Sequence, residues 1–572
     1  MPTLSWRPPV ALPADKVQEI SSALGVSPVT AMLIMRRGYT NPNSAMAFLR
    51  PSAAQSYDPY LMKGMSALAA RVHLAIKTKQ PILIYGDYDA DGIPGTSLLA
   101  IYLRRVGANV RTFIPNREDG YGLTLEAAHR LLLLKPRPKL VITIDCGSSD
   151  HDAILLLRRM KIDVAVTDHH LTLKGPPPTP YFINPARSDD ETYPYRALCG
   201  CGVAYKLVQA LSTRNQEPRL YELVAISTIG DQVPLTGENR YYVKAALSNL
   251  HRNATGNLGL RAIASTAAVA LATINPTHIG WRICPRINAV GRMGADPNLV
   301  VELLSTSDHN RAAELAAMLQ QANGARQTLT AALYDSALSQ VAAQPADALL
   351  VAYLPGATVG VAGLVASKIV ENYHRPALVV NGEGRGSGRA PEGQEIMSYM
   401  NSLRQLGIFG SRSIGNGRTI TADYGGHSAA CGFHNVDPQA LMDAAKGLRV
   451  SAALTSVLRI DDRVALSSLT PQLAQEIEQL APFGIGNPEP RLLVTGLTTS
   501  NVRTSKSGQT LLFTVSDGQV SRNAFWYGQG SRASATLPAK VDMLVTPIPS
   551  GDVVDLQVLG LRLHRKPPVI AQ

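Results

Sequence analysis

Three short apolar runs, each closed by acidic residues, constrain the fold of this chain more than any other feature. They read PILIYGD (81–87), KLVITIDCG (139–147) and IDVAVTDHH (162–170). β-Branched apolar runs of this length, bounded by Pro, Gly and acids, indicate buried strands. Helical stretches such as GTSLLAIYLRRVG and HDAILLLRRMK lie between them. Strands that alternate with helices predict an α/β fold built on a mainly parallel sheet.

The acidic residues that follow these strands are the candidate site. In parallel sheets the ligand lies outside the carboxyl ends of the strands, so side chains that follow neighbouring strands are expected to meet there. A further aspartate, in STIGDQVPL, is expected to form a fourth acidic strand end. The candidates are Asp87, Asp89 and Asp91 after the first strand, Asp145 after the second, Asp168, His169 and His170 after the third, and Asp231.

The spacing D-x-D-x-D-G in GDYDADG also opens an EF-hand calcium loop. Such a loop carries a bidentate Glu at its twelfth position, which is Leu98 when counted from Asp87, and it follows a helix instead of a strand. We therefore reject calcium. For any single aspartate, a helix cap or a solvated loop remains the alternative, and the joint pattern is what favours a site.

Carboxylates and imidazoles without thiolates favour Mg²⁺ or Mn²⁺. Two such ions about 4 Å apart use more acids than one ion does, and they suit the hydrolysis of a phosphate ester or anhydride. The chain has no G-x-x-x-x-G-K-[ST] motif, so an ATP motor is not indicated. Its five cysteines form no paired C-x-x-C ligands, so zinc is not expected.

The length of the chain predicts several domains, and its net charge predicts an acidic partner. The 572 residues are too many for one core, and a net charge of +12 makes nucleic acid the first candidate partner. The N-terminus lacks the order of a signal peptide, and Pro355-Gly356 divides the uncharged segment 348–367, which predicts a strand and then a helix. We expect a cytoplasmic protein with no membrane association.

Four motifs carry a resemblance to a known superfamily. DYDADG, DCG, TDHH and GDQVPL resemble motifs I to IV of the DHH phosphoesterases. Six further stretches resemble the RecJ exonuclease family within that superfamily, and the match runs from about residue 60 to the C-terminus. These stretches are GCGVAYKL (200–207), VPLTGENR (233–240), PRINAVGRM (285–293), GSGR (386–389), GGHSAACGF (425–433) and PFGIGNPEP (482–490).

The resemblance implies five consecutive segments. A helical segment precedes a DHH domain, a helical linker, a smaller α/β domain of the DHHA1 type and an oligonucleotide-binding (OB) β-barrel, for which short strands and turn signals near the end of the chain also argue. Asp308 is expected to cap one long helix in the linker. The segments are 1–80, 81–240, 241–345, 346–455 and 456–572.

The resemblance also implies roles in a centre that holds two Mn²⁺ or Mg²⁺ ions. Asp145 is the expected bridge between the ions, and Asp87 and Asp168 are nearby acids that bind metal or orient ligands. His170 is expected to face the scissile phosphate. The implied metal ligands are Asp89, Asp91, Asp145, His169 and Asp231.

Substrate-binding residues follow from the resemblance and from local chemistry. Arg117, Ser387 and Arg389 match a 5′-phosphate pocket, and glycines at 384, 386 and 388 would let backbone N–H groups approach an anion, although a plain flexible turn is an even alternative. Tyr121 is expected to stack on a base. The remaining candidates for substrate contact are Arg286, Arg292 and His427.

The function implied is a single-strand-specific 5′→3′ DNA exonuclease that releases 5′-mononucleotides in repair and recombination. The alternatives are a phosphodiesterase for short oligonucleotides or cyclic dinucleotides, and a non-catalytic binding factor. A monomer is expected, with a single-strand-binding protein or a helicase as candidate partners. One departure from the family is the pair Ala357 and Thr358, where RecJ proteins usually carry Trp-His.

Overall fold

The computed structural model describes residues 5–172, 174–212, 220–344, 348–413, 419–448, 457–534 and 537–564. Helices and strands are numbered separately in chain order. The helices are α1 (Ala14–Leu24), α2 (Pro28–Arg36), α3 (Pro42–Leu49), α4 (Met65–Lys77), α5 (Gly92–Arg105), α6 (Leu125–Leu132), α7 (His151–Arg159), α8 (Gly200–Leu211), α9 (Tyr221–Gly230), α10 (Gly237–His251), α11 (Leu258–Thr266), α12 (Pro276–His278), α13 (Cys284–Arg292), α14 (Asn298–Ser305), α15 (His309–Ala342), α16 (Val359–Tyr373), α17 (Ile396–Gln405), α18 (Pro438–Lys446) and α19 (Pro471–Gln479).

The strands are shorter than most of the helices, except in the last part of the chain. They are β1 (Ser5–Arg7), β2 (Ile82–Gly86), β3 (Val110–Phe113), β4 (Leu140–Ile144), β5 (Asp163–Thr167), β6 (Tyr181–Ile183), β7 (Leu350–Tyr353), β8 (Ala377–Val380), β9 (Gly386–Arg389), β10 (Gly410–Ser413), β11 (Thr419–Gly426), β12 (Ala430–His434), β13 (Val457–Arg459), β14 (Asp462–Arg463), β15 (Leu492–Thr504), β16 (Leu511–Ser516), β17 (Ser521–Trp526), β18 (Val541–Ser550) and β19 (Val553–Leu563).

The chain divides into two compact units, which we describe separately. The larger unit, the catalytic unit below, consists of Asp58–Asp231 and Ala245–Leu454. The smaller unit, the barrel unit, consists of Met1–Tyr57, Gln232–Lys244 and Thr455–Gln572. The five consecutive segments expected from the sequence stay a prediction.

A five-stranded sheet, entirely parallel, organises the first part of the catalytic unit. Its order is β3-β2-β4-β5-β6, which confirms the predicted α/β architecture. Side chains of alternate strand residues such as Leu83 and Val141 pack with α6 and α7 on one face. Helices α5 and α8 contact the sheet as well as each other. The three strands that end in acids, β2, β4 and β5, are therefore adjacent in the middle of a sheet buried between helices.

Helices and a second sheet complete the catalytic unit. The long helix α15 begins after Asp308, whose side chain accepts from the N–H groups of Asn310 and Arg311, so the predicted cap is confirmed. The second sheet has the order β10-β11-β12-β9-β8-β7. Its apolar residues pack against α15 and α16 in one cluster and against α17 and α18 in another. Segment 348–367 forms β7 and the start of α16, as its sequence predicts.

The barrel unit joins the two ends of the chain. Its sheet runs β14-β15-β16-β17-β19-β18, and an additional pairing of β15 with β18 closes it, which confirms the predicted β-barrel. Apolar residues of α1 to α3, such as Ile20, Leu33 and Phe48, share one core with α19 and the barrel strands. Within the described residues no single helix is long and apolar enough to cross a membrane, although the bent pair α1 and α2 passes that test of length and composition together.

Candidate metal centre and arginine pocket

Three of the predicted acids lie at the same edge of the parallel sheet. Asp87, Asp145 and Asp168 each come directly after a strand, and their backbone N–H groups continue the ladder of that sheet. Asp87 donates to the carbonyl of Ile144 at 3.2 Å, and Asp145 donates to that of Thr167 at 3.0 Å. The strand register therefore brings these carboxylates together, as the sequence predicts.

The loop after β2 adds two further carboxylates. Asp89 accepts from the N–H groups of Asp91 at 2.8 Å and Gly92 at 3.2 Å, which fixes the loop at the start of α5. The Asp91 carboxylate points instead to the N-terminus of α8, where it accepts from Gly200 at 2.6 Å and Cys201 at 2.7 Å. Two elements distant in sequence thus hold Asp91 within the site.

The Nε2 atom of His169 faces three carboxylates. It lies 3.1 Å from Asp145 Oδ1, 3.6 Å from Asp231 Oδ2 and 3.8 Å from Asp91 Oδ2. Within the described structure neither this nitrogen nor Asp145 Oδ1 has a hydrogen-bond partner, although both are buried. Buried polar atoms are normally satisfied, so this pair of atoms requires a further partner.

Three groups of side chains could each hold a metal ion. In every group the candidate ligand atoms lie within 4.8 Å of one another. The groups are Asp91, His169 and Asp231; Asp87, Asp89 and Asp145; and Asp145, His169 and His170. All five expected metal ligands are therefore brought together, and Asp87 joins one of the groups. The sharing of Asp145 between two groups is what a bridging ligand would require.

The electrostatics of this cluster fit a divalent cation. Burial and the charges of Asp91, Asp89 and Asp231 raise the pKa of Asp145 well above its ordinary value. Burial and the charges of Asp91 and Asp89 likewise raise the pKa of Asp231 to about 8. Buried carboxylates that disfavour one another's ionisation are stabilised by a bound cation. The donor set of carboxylates and imidazole suits Mn²⁺ or Mg²⁺.

The position of Asp231 differs from the expectation of a fourth strand end. Asp231 lies at the C-terminal end of α9, which spans Tyr221–Gly230. The preceding residues 223–228 are all buried. A short apolar run that is buried on every side has no period that separates a strand from a helix. Asp231 therefore lies beside the other candidate ligands, as expected, but it is carried by a helix and not by a strand.

His170 forms an ion pair with the acid of its own motif. Its Nδ1 lies 2.8 Å from Asp168 Oδ1. Burial favours neutral imidazole, but the hydrogen bond and charge of Asp168 outweigh it and raise the pKa of His170 to about 9. The same hydrogen bond and the charge of His170 overcome the effect of burial on Asp168 and lower its pKa. The Asp168 carboxylate thus favours the charged form of His170 and orients its ring.

Tyr121 reaches into the site through its hydroxyl group. The hydroxyl donates to the carbonyl of Asp145 at 3.0 Å. It lies 3.1 Å from Nδ1 and 3.2 Å from Nε2 of His170, so it faces the imidazole ring without selecting either nitrogen. The Tyr121 side chain is half exposed. Its stacking on a base stays a prediction.

Three arginines form a second cluster in the catalytic unit, which we call the arginine pocket: Arg117, Arg292 and Arg389. Arg117 lies over the ring of Tyr88, 4.1 Å from its centroid. Arg389 donates to the hydroxyl of Ser387 at 2.8 Å. Burial and the charges of the other two arginines and of Arg326 lower the pKa of Arg292 to about 9. Predicted phosphate ligands from distant segments are therefore close together.

The arginine pocket is short of negative charge. Among the described residues no carboxylate lies within ion-pair distance of its three guanidinium groups. The Nε atoms of Arg117 and Arg326 are buried without a hydrogen-bond partner. Arg326 lies on α15. The sequence did not identify it as a candidate for substrate contact, because it lies in no recognisable motif. Clustered guanidinium groups that lack a carboxylate partner are suited to binding a phosphate group.

Two of the three glycines expected to admit an anion lie in a sheet. Gly386 and Gly388 belong to strand β9, and a Cβ atom on Gly386 would lie 2.2 Å from a backbone carbonyl of the adjacent strand. They therefore serve sheet packing. The glycine that keeps the pocket open is Gly363 in α16, where a Cβ atom would lie 2.7 Å from Arg389 Nη2 and 3.0 Å from Ser387 Oγ.

The remaining candidates are less closely tied to these clusters. Arg286 donates from Nε to Gln320 on α15 at 2.8 Å. His427 is exposed in the turn between β11 and β12. At the departure from the family pattern, Ala357 is buried in the core beside α16, and Thr358 is exposed immediately before this helix. The substrate contacts of Arg286 and His427 stay predictions.

Comparison with known proteins agrees with this geometry. The family model of the DHH family, N-terminal domain, matches residues 81–229, and that of the RecJ OB domain matches residues 460–549. The chain is 34% identical over 506 residues to the single-stranded-DNA-specific exonuclease RecJ of Thermus thermophilus, which covers 86% of this chain and 69% of that protein. The chain belongs to the RecJ family.

Three other matches describe how similar this chain is to known RecJ proteins. It is 34% identical over 505 residues to RecJ of Bacillus subtilis, an alignment that covers 86% of this chain but only 61% of the relative's length. A crystal structure of Thermus thermophilus RecJ in complex with Mn²⁺ superposes with a TM-score of 0.83 and 28% identity, covering 98% of this chain and 80% of the other. A crystal structure of the same Thermus protein with Mg²⁺ superposes with a TM-score of 0.77 and 27% identity, covering 98% of this chain and 79% of the other.

Proposed function

We propose that this protein is a metal-dependent exonuclease that degrades single-stranded DNA from its 5′ end and releases 5′-mononucleotides. The observation that carries the proposal is the contact between its two clusters. Tyr88 stands between Asp87 and Asp89 in the sequence, and its ring supports Arg117 of the arginine pocket at 4.1 Å. Hydrolytic groups beside an anion pocket suit a phosphate polymer. The RecJ relatives, named as single-stranded-DNA-specific exonucleases, support the same substrate.

The carboxylate–imidazole cluster would hold two Mn²⁺ or Mg²⁺ ions, the metals present in the Thermus RecJ structures. Bound there, the ions would neutralise charge on the attacking and leaving oxygens of a phosphodiester. Asp145 is shared by two candidate ligand groups, and His169 and Asp231 complete the group around Asp91.

His170 acts on the substrate side of this centre. Its Nδ1 is engaged by Asp168, so a cationic His170 retains the Nε2 proton for a phosphate oxygen. Tyr121 faces the same ring and restricts how it can turn. Asp168 is thereby a positioning residue that keeps His170 charged and oriented.

The direction of degradation rests on the arginine pocket. A terminal phosphate bound by Arg117, Arg389 and Ser387 would fix the 5′ end of a strand beside the metal centre. The first phosphodiester bond would then be the one within reach, and hydrolysis there releases a 5′-mononucleotide. A cyclic dinucleotide has no terminal phosphate to place in the pocket. A monomeric state and a helicase or single-strand-binding protein as partner stay predictions.

A substrate panel tests the proposal. Single strands, blunt duplex and a dinucleotide, each as DNA and RNA and with either end blocked, are incubated with Mn²⁺ or Mg²⁺ and the products are separated. We expect mononucleotide from the 5′ end of single-stranded DNA only, and faster turnover of the long strand than of the dinucleotide. Equal cleavage of blunt duplex would contradict the proposal, and preference for the dinucleotide would favour a short-oligonucleotide phosphodiesterase. Asp145→Asn is the control for contaminating nuclease.

A further inference from the structure

Trp281 is an exposed aromatic residue that the proposed chemistry does not use. It is 76% exposed, whereas Trp6 and Trp526 are only partly exposed. It lies in a π-helical turn, Ile279–Ile283, that runs directly into α13. The two isoleucines at the ends of this turn are buried, so the backbone is anchored while the indole ring stays in solvent. π-Helical turns occur mostly as local distortions and frequently at functional sites.

Arginines connect this turn with the arginine pocket. Arg282, next to Trp281, is exposed, and Arg286 donates to its carbonyl at 2.6 Å. Burial and the charges of Arg282 and Arg326 lower the pKa of Arg286. Arg326 in turn is close enough to lower the pKa of Arg292 in the pocket. Positive charge is therefore continuous along α13 and α15.

The same two helices carry unsatisfied polar atoms. Asn288 Oδ1 on α13, and Asn323 Oδ1 and Arg326 Nε on α15, are buried without a hydrogen-bond partner. Asn323 is only 2% exposed. Helices α13 and α15 pack against each other. These atoms are buried between the helices, so they do not themselves face a substrate. The arginines beside them, Arg282 exposed and Arg286 partly exposed, are complementary to a sugar–phosphate backbone, whereas an apolar peptide would leave their charges unpaired.

We propose that Trp281 is a stacking platform for a base of the single strand, some nucleotides away from the 5′ end held in the arginine pocket. This inference rests on the proposed function and adds a second contact point for the same substrate. Proteins that bind single strands combine a positively charged path for the backbone with aromatic rings on which bases stack. Trp281 and Arg292 are eleven positions apart along the π-helical turn and α13, a distance of roughly 16 Å at 1.5 Å per residue. Trp281 therefore lies well away from the arginine pocket, where it would contact a part of the strand that a dinucleotide does not have.

The test compares Trp281→Ala with Trp281→Phe, and uses Leu133→Ala as the matched control because Leu133 is 79% exposed in the same unit. Binding of a 5′-phosphorylated long strand and of a 5′-phosphorylated dinucleotide is measured by fluorescence anisotropy with chelator present, so that no cleavage occurs. We expect Trp281→Ala to weaken binding of the long strand by about 5- to 100-fold, the range for loss of one stacked base. Trp281→Phe should retain most of the affinity, and Leu133→Ala all of it.

Two further measurements make the outcome specific. The effect of Trp281→Ala should disappear on a long strand in which the bases are replaced by abasic sites, and all variants should turn over the dinucleotide at the wild-type rate when Mn²⁺ is present. Wild-type affinity of Trp281→Ala for the long strand would overturn the inference, as would an equal loss on the abasic strand. An acidic peptide is tested in the same binding assay. If Trp281→Ala weakens binding of this peptide but not of DNA, the ring belongs to a site for a protein partner and the inference is overturned. Failure of the wild-type protein to bind any strand would instead overturn the proposed function.

Discussion

The carboxylate of Asp91 accepts a hydrogen bond of 2.6 Å from the backbone N–H of Gly200, the first residue of α8. The other oxygen of the same carboxylate accepts from Cys201 at 2.7 Å. A helix N-terminus carries unsatisfied N–H groups and partial positive charge, so it stabilises an anion placed there. The helix that follows the parallel sheet thereby holds one carboxylate of the metal centre in a fixed orientation.

Gly200→Ala should disrupt this centre. A Cβ atom on Gly200 would lie 2.5 Å from Asp145 Cβ and 2.6 Å from Asp145 Oδ1, so the bridging candidate would have to move. We expect Mn²⁺ affinity, measured by isothermal titration calorimetry, to fall by about 10- to 100-fold, as for other changes that misplace a ligand. Gly202→Ala in the same helix is the control, because its nearest neighbours lie at 3.5 Å, and unaltered binding is expected. Equal affinities of the two variants would contradict the role of Gly200.

Asp145→Asn separates metal binding from folding. Asp145 has a φ of 63°, a left-handed conformation that asparagine also tolerates, so the backbone should be retained. The variant replaces a carboxyl group whose ionisation the neighbouring carboxylates disfavour by a neutral amide, so its metal-free Tm should equal or exceed that of the wild type. Added Mn²⁺ should raise the Tm of the wild type but hardly that of the variant, and nuclease activity should fall by about 100-fold or more. An increase of Tm with Mn²⁺ as large as in the wild type would exclude Asp145 as a ligand.

The contrast between Asp145 and Asp231 shows what the sequence could predict. Apolar runs that end in acids identify strands, and parallel pairing then places the acids at one edge, so most of the metal centre follows from local pattern. The element that carries Asp231 did not follow, because a helix buried on all sides has no distinctive period. Arg326 and Gly363 were missed because packing of distant segments alone brings them to the arginine pocket. For the same reason the shared core of α1 to α3 with the barrel could not be predicted.

Gly363→Ala should fill the arginine pocket. The added methyl group would lie 2.7 Å from Arg389 Nη2 and 3.0 Å from Ser387 Oγ, where a phosphate oxygen is proposed to bind. We expect the preference for a 5′-phosphorylated over a 5′-hydroxyl strand, measured as the ratio of kcat/KM values, to fall by about 10-fold, the equivalent of one weakened charged hydrogen bond. Gly356→Ala is the control, since a Cβ atom there meets nothing within 4 Å. An undiminished preference in Gly363→Ala would place the phosphate elsewhere.

Gly324→Ala should stabilise the long helix α15. Gly324 is in the interior of His309–Ala342, and a Cβ atom there would meet nothing within 4 Å. Replacing a helical glycine by alanine contributes about 0.5–1 kcal/mol, since glycine loses more backbone entropy on folding. Amide hydrogen exchange should slow in α15. Ala325→Gly, at the exposed neighbouring position, should accelerate exchange, and a change of the same sign in both variants would refute the explanation.

Lys244 should make the stability of the barrel unit depend on pH. Its Nζ donates to the carbonyl of Leu49 at 2.8 Å, and burial with the charges of Arg240 and Arg50 lowers its pKa from 10.5 to about 8. Between about pH 8 and 10.5 the unfolded chain therefore binds a proton that the folded protein has released, so the free energy of unfolding gains a contribution that rises with pH. Below pH 8 the penalty for the buried charge is fully present.

Lys244→Met removes this titration while keeping a long side chain. The measurement is urea unfolding of the wild type and Lys244→Met at several pH values. Unfolding is monitored by hydrogen exchange of α1 to α3, which belong to the same unit as Lys244. We expect the wild type to gain stability relative to the variant as pH rises from about 8 to 10.5, because only the wild type carries the shifted amine. A constant difference between the two proteins across that range would show that Lys244 titrates as it does in the unfolded chain.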